Sequence, residues 1–233
     1  MTALVLQARI DSSRLPGKSL LPLGGRPLIF RVMEAFGSFP CEAKILACPE
    51  DSAESFAPLA YEAGFTLITG PKEDVLERFC IVIRKSGAHR IVRATADNPF
   101  VFIDAAIALN EEAAALGADY AGYSGLPYGA GVESVSAEAL LLAGREAMAP
   151  AEREHVCPYL YNRPELFLLH RPLAPPEWQG ADCKITVDTA DDYRNAQNLY
   201  DELLSLPPEK RNLGKNIIKA YTRLLDKEAE KGT

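Results

Sequence analysis

Three cations, Arg9, Arg14 and Lys18, fall within one short polar stretch, Ala8-Arg9-Ile10-Asp11-Ser12-Ser13-Arg14-Leu15-Pro16-Gly17-Lys18, directly behind the apolar run Leu4-Val5-Leu6. Arg and Lys supply charge to a phosphate chain, and Ser12 and Ser13 can add hydroxyl and backbone N–H groups. The stretch therefore has the chemistry of a clasp for a polyanion. It is not a Walker A loop: Gly17-Lys18-Ser19 echoes only the end of GxxxxGK[ST], and position 12 is Ser. No GxGxxG is present either. Pro16-Gly17 lets the chain curl, so that Arg14 and Lys18 can approach one ligand. The same spacing also fits a solvated loop with incidental charge, and spacing alone leaves both open.

Two carboxylates stand in comparable places. Asp97 lies in Ala96-Asp97-Asn98-Pro99 and Asp188 in Val187-Asp188-Thr189, each behind an apolar run. Asp97 also reads as a turn residue, and Asp188 as the N-cap of a following helix, with Thr189 as the competing cap. Asp191 and Asp192 read as first-turn acids favoured by the helix dipole.

These residues need a scaffold to bring them together. Strand-length apolar runs at 3–8, 44–48, 65–69 and 90–95 alternate with amphipathic segments at 27–37, from Asp51 or Ser52 to Gly64, at 73–86 and at 103–116. This βαβα rhythm predicts an α/β fold with a mostly parallel sheet and helices on both faces. Such sheets bind ligands outside the carboxyl ends of their strands, which puts the Arg9–Lys18 loop and the Asp97 turn at one edge. Beyond residue 118 the rhythm breaks. Short strands are expected at 119–123, 132–135, 166–170 and 184–187, and helices at 137–147, 152–163, 190–205 and 209–226. The reading is one domain over 1–226 with a smaller inserted lobe at about 120–180, and a charged, fraying tail at 227–233.

Composition limits the partners. The chain of 233 residues carries a net charge of −7, with 48% hydrophobic and 24% charged residues. That balance argues against broad nucleic-acid or membrane-surface binding, while leaving room for a local basic pocket and a small anionic ligand. Five scattered cysteines without CxxC spacing predict reduced thiols rather than a zinc site or disulfide framework. Without a signal-like start or an apolar run of membrane-span length, a soluble, cytoplasmic protein is expected.

The pattern Ala8-Arg9-x-x-Ser12-x-Arg14-x-Pro16-x-Lys18, followed by Gly24-Gly25-x-Pro27-Leu28-Ile29, resembles the signature of the sugar cytidylyltransferases, the CMP-KDO and CMP-acylneuraminate synthetase group. Arg93-x-Thr95-x-Asp97-x-Pro99, Arg153-Glu154-His155-Val156-x-Pro158-Tyr159 and Val187-Asp188-Thr189-x-x-Asp192 are similar to motifs of the branch represented by the spore-coat polysaccharide biosynthesis protein F. The resemblance runs from residue 4 to about 200.

It implies a three-layer, nucleotide-diphospho-sugar transferase-like (Rossmann-like) fold and a CTP-binding front loop. Ala8, Arg9, Ser12, Arg14, Lys18, Arg93 and Thr95 would contact the nucleotide, with Arg14, Lys18 and Asp97 catalytic. Asp97 and Asp188 would hold Mg²⁺, an ion that favours one or two protein carboxylates plus phosphate and water oxygens. Tyr128, Gly129, Glu133, Glu154 and His155 would lie toward a small anionic acceptor, although a lone His in a helix is as readily structural. A homodimer built through the middle lobe is implied as well. The sequence departs from the branch in Gly129-Ala130-Gly131-Val132-Glu133, where Gly-x-Asp-x-Glu is common, and in Ala96, where Gly is usual.

The activity expected is CMP transfer from CTP to an acidic or phosphorylated sugar-like acceptor, with release of pyrophosphate, for cell-surface polysaccharide. Two other classes stay open. A metal-dependent glycosyltransferase would normally show Asp-x-Asp, which Asp97-Asn98-Pro99 lacks. A non-catalytic nucleotide-binding homologue is compatible with the departures at Ala96 and Ala130.

Overall fold

The computed structural model describes residues 1–180 and 183–231. Its centre is strand β1 (Thr2–Gln7), buried from Ala3 to Leu6. Side chains alternate across a strand, and both faces here are apolar, as a strand covered by helices on both sides requires. Leu4 and Leu6 face one core with Leu28, Ile29 and Val32 of α1 (Leu28–Ala35) and Phe56 of α2 (Ala53–Glu62). Ala3 and Val5 face a second core with Leu76, Phe79 and Ile83 of α3 (Val75–Ser86) and Leu140 of α5 (Ala137–Glu146). Helix α4 (Ile103–Leu116), which lies between α3 and α5 in the chain, packs on the first core.

Strands β4 (Ala43–Pro49), β5 (Thr66–Gly70) and β6 (Arg90–Thr95) complete the parallel part of the sheet, while a small hairpin of β2 (Pro22–Leu23) and β3 (Arg26–Pro27) precedes α1. The chain grows outward from β1 to β4 and β5, then returns to lay β6 on the other side of β1. That reversal makes a topological switch point, where the loops after β1 and β6 open into one crevice. The register sets Gln7 beside both Ala47 and Thr95, so Ala8 and Ala96 leave the sheet together.

The segment 120–180 extends the same sheet. β8 (Glu133–Ser136) runs antiparallel to β6, β7 (Tyr120–Ala121) pairs with β8, and β9 (Leu169–His170) closes the edge. The α/β, mostly parallel architecture is as expected, but several local expectations are corrected. The helix predicted over 152–163 is two pieces, α6 (Pro150–His155) and α7 (Pro158–Tyr161), broken where buried Val156 has φ 73 and ψ −58. Cys157 N–H donates to His155 O at 2.9 Å across this γ-turn.

The strand predicted at 184–187 is an extended strap with one isolated bridge, Tyr128 to Lys184. The β6–β8 ladder stops at Arg93–Glu133, and past the end of β6 the strap makes a single backbone bond, Val187 N–H to Asp97 O, rather than a ladder. After α8 (Ala190–Leu203) the last predicted helix divides into α9 (Pro208–Arg211) and α10 (Gly214–Lys231). Asn212, between them, donates its side-chain amide to Pro99 O and Val101 O. Helix continues to Lys231, so residues 227–231 are helical where fraying was expected over 227–233; positions 232–233 lie outside the described residues. Among the described residues no helix is long and apolar enough to cross a membrane. Burial pushes the Cys48 and Cys80 thiols up to about 11, which leaves them as protonated core residues.

Candidate active site

The front loop is tied down along its length. Ala8 N–H continues the β1 ladder to Ala47 O at 3.0 Å. Ile10 N–H donates to Ser52 Oγ at 3.2 Å, so Ser52 serves the loop and its side chain does not cap α2. Ser19 Oγ donates to Arg9 O at 3.1 Å. Lys72 Nζ pairs with Asp11 at 2.6 Å and Asp51 at 2.8 Å, and these carboxylates raise its pKa. Gly17 takes φ 67, a left-handed turn that suits glycine and sends Lys18 inward to begin a 3₁₀ turn.

Lys18 is buried, and its ammonium meets three oxygens from two distant segments. It lies 2.8 Å from Asp97 Oδ2, 2.8 Å from Val187 O and 3.0 Å from Asp188 Oδ1. Arg14 reaches the same Asp188 oxygen at 2.8 Å from the solvent side. The backbone supports this convergence, since Val187 N–H donates to Asp97 O at 2.9 Å. Thr189 caps α8: its side chain accepts from Asp192 N–H, and Asp192 accepts from Thr189 N–H in return, a complete capping box. Asp188 is thereby released from capping. Burial alone would raise the Asp192 pKa, but Lys184 and the N–H groups of Asp188 and Thr189 hold it below the usual carboxylate value.

The cleft above these groups holds about 250 Å³. Ala8, Arg9, Ser12, Arg14, Lys18, Thr95, Asp97 and Asp188 line it, together with Glu154 and His155 from α6. Glu154 and His155 thus sit opposite the front loop rather than with the other expected acceptor contacts. Their helix is held by Arg153, which pairs with Asp74 at the N-cap of α3 and donates to Gly144 O and Ala147 O.

Sequence reasoning missed two cations of this cleft, Lys72 and Arg78. Arg78 is 2% exposed and donates to Pro71 O and Lys72 O, with no carboxylate in ion-pair contact among the described residues. Its burial lowers its pKa, yet a guanidinium stays charged. The signal was present: Arg78 is the lone cation on the face of α3 that carries Val75, Leu76, Phe79, Val82 and Ile83.

Arg93 lies elsewhere. Its Nε donates to Gln7 Oε1 at 3.1 Å and its guanidinium pairs with Glu133, its cross-strand partner on β8. Tyr120 Oη donates to Glu133 Oε1 at 2.9 Å. These groups line a second cavity of about 250 Å³ with Asn98, Tyr123, Ser124, Gly131 and Arg171. Thr95 borders both cavities, so the two adjoin at the end of β6. Gly131 opens directly onto this second space.

Tyr128 and Gly129 line neither cavity. Tyr128 is exposed and brackets the strap: its N–H donates to Cys183 O and its carbonyl accepts from Ile185 N–H. Gly129 has φ 101, and a Cβ there would meet Thr186 N at 2.7 Å. Both residues position the strap that carries Asp188.

The donor set suits a magnesium ion. Asp97 and Asp188 converge on one cation position, and both offer hard oxygen ligands. Among the described residues no three His, Cys, Asp or Glu side chains cluster as a metal group. Two carboxylates with further ligands from phosphate and water is a set that Mg²⁺ accepts.

Comparison with known proteins places the chain. Residues 3–228 match the family described as Cytidylyltransferase. The chain is 31% identical over 205 residues to the spore coat polysaccharide biosynthesis protein SpsF of Bacillus subtilis (strain 168), covering 85% of each. It is similar in fold to a cytidylyltransferase from Leptospira borgpetersenii serovar Hardjo-bovis (strain JB197), with a TM-score of 0.86 at 20% identity over 97% of this chain and 95% of that one. A CMP:2-keto-3-deoxy-manno-octonic acid synthetase complexed with CTP shares the fold at a TM-score of 0.68 and 16% identity, over 86% of this chain and 98% of that one.

Proposed function

The chain belongs to the cytidylyltransferase family, and we propose that this nucleotidyltransferase moves CMP from CTP to an acidic or phosphorylated sugar-like acceptor, releasing pyrophosphate, in cell-surface polysaccharide synthesis. The observation that carries the reading is the convergence of Asp97 and Asp188 at the floor of a cleft lined by Arg9, Arg14 and Arg78. An acidic pair beneath a basic wall suits a metal-bound triphosphate.

In this reading Arg9, Ser12, Arg14 and Arg78 hold the phosphate chain, and Ala8 lies beside the nucleoside. The acceptor enters through the cavity beside Thr95, where Arg93, Glu133 and Arg171 provide charge for an anionic, hydroxyl-rich molecule. Its hydroxyl oxygen bonds to the α-phosphorus as the α–β bridging P–O bond breaks, pyrophosphate leaves, and the hydroxyl proton passes to solvent. Asp97 and Asp188 would hold Mg²⁺, which would supply positive charge to the phosphate chain. Fixed cations already in place when charge develops do most of the work. Glu154 and His155 face the same cleft and are assigned to the acceptor side of the reaction. We also propose a homodimer built through the 120–180 segment, whose Tyr128, Leu166, Leu168 and Leu173 are exposed.

The test is pyrophosphate release with each nucleoside triphosphate in turn against a panel of sugar acids and sugar phosphates. Release with CTP and one acceptor supports the reading. Turnover of a preformed nucleotide-sugar instead would make the chain a glycosyltransferase, and nucleotide binding without turnover a non-catalytic homologue.

A further inference from the structure

We propose that Lys18 is the positioning cation of the Asp97–Asp188 pair, and that it couples metal entry to the arrival of a triphosphate. This rests on the reading of those two carboxylates as the metal's ligands. An ammonium group has three N–H donors, and Lys18 faces three oxygens at 2.8, 2.8 and 3.0 Å. With all three donors engaged and the residue 9% exposed, Lys18 has no hand left for a phosphate in this arrangement. The exposed cation of the loop is Arg14, whose side chain is 64% accessible.

The pair is also balanced. Asp97 and Asp188 carry two negative charges, and Lys18 and Arg14 return two positive ones at contact distance. A divalent ion held by Asp97 and Asp188 would lie close to the Lys18 ammonium, which contacts both carboxylates, in a half-buried place where like charges repel strongly. A triphosphate changes that balance, because its negative charge offsets both the ion and the ammonium and offers Arg14 a new partner. Metal and triphosphate therefore bind with positive linkage, and each raises the other's affinity by the same factor.

Mn²⁺ serves as the probe, its free concentration read by electron paramagnetic resonance. The measurement compares wild type, Lys18→Met and Lys18→Gln, each alone, with CTP and with inorganic tripolyphosphate, with the Mn²⁺ taken up by each triphosphate in protein-free controls subtracted, after the melting temperature confirms that each variant is folded. Wild type alone should bind Mn²⁺ at least ~10-fold more weakly than with either triphosphate, within the usual range of such coupling. Folded Lys18 variants should bind Mn²⁺ alone at least ~10-fold more tightly than wild type alone, with the coupling to triphosphate reduced. Equal or weaker binding by both variants overturns the role of Lys18 while leaving the transferase reading intact. Coupling seen with CTP but not with tripolyphosphate overturns the charge mechanism. Absence of Mn²⁺ binding in every state overturns the metal reading, and this inference with it.

Discussion

Arg153 Nε lies 2.8 Å from Asp74 Oδ2, joining α6 to the first turn of α3, where the other oxygen of Asp74 accepts from Glu77 N–H at 2.9 Å. One carboxylate thus caps a helix and anchors the segment that carries Glu154 and His155 to the cleft. Asp74→Ala removes both functions. The expected loss is about 2 kcal/mol of stability, from a cap and a partly exposed charge-assisted pair. Urea denaturation measures it. If Glu154 and His155 act in the cleft, kcat/KM falls further than in control variants of equal stability loss placed away from the cleft.

Asp97→Asn should reduce pyrophosphate release at least ~100-fold with little change in melting temperature. Lys18 retains Asp188 and Val187 O as partners, so the fold keeps its buried ammonium satisfied. Full activity in this variant would remove Asp97 from the chemistry.

Arg78→Met separates binding from folding. A buried guanidinium bonded only to carbonyls pays for desolvation without an ion partner, and its acceptors Pro71 and Lys72 are exposed enough to take water. Stability should shift by no more than about 1 kcal/mol, while CTP affinity measured by calorimetry drops ~10-fold or more, as lost charge-assisted contacts to phosphate predict. Unchanged CTP affinity would assign Arg78 to structure alone.

The capping box at α8 gives a pH signature. The Asp192 carboxyl is held below its ordinary value of 3.8 by Lys184 and two backbone N–H groups. A depressed carboxylate stabilises the fold above the unfolded-state pKa, and that contribution is lost as pH falls through the folded one. Asp192→Asn should therefore cost about 1 kcal/mol at pH 7, with the gap to wild type closing as pH drops below 3.8. Denaturation midpoints at both ends of this range decide it; a gap that stays constant with pH would refute the charge assignment.

Val156 inverts a familiar order of side-chain truncation. Its side chain is fully buried, yet its φ of 73 is a region that β-branched residues rarely adopt. Val156→Ala loses burial and keeps the strain, whereas Val156→Gly loses burial and releases about 1–3 kcal/mol of strain. Glycine should therefore be the less destabilising replacement in chemical denaturation. Alanine being better would mean the turn carries no strain.

How far the chain could be read without its structure differs from residue to residue. Strand and helix periods are local, and they announced β1, β4, β5, β6 and the first four helices because buried faces repeat every two or every 3.6 residues. The Arg9–Lys18 loop was legible for the same reason, being a dense polar interruption between two apolar runs, and Thr189 could be seen as a competing cap. The cation of Arg78 was hidden inside an apolar helix face, where periodicity reads it as an exception rather than a site.

The sequence by itself determined the element types of the first half and the parallel part of the sheet, and marked the polar Arg9–Lys18 interruption, because each depends on neighbours within a few turns of chain. Only the tertiary structure decided which of them meet. It laid the 184–188 strap across the end of β6, where Val187 N–H meets Asp97 O, set Arg93 against Glu133 through cross-strand register, and engaged all three donors of Lys18 with Asp97, Val187 and Asp188. Register, strand order and donor use are long-range quantities: they depend on which segments the fold brings into contact, and no window of the chain contains both partners.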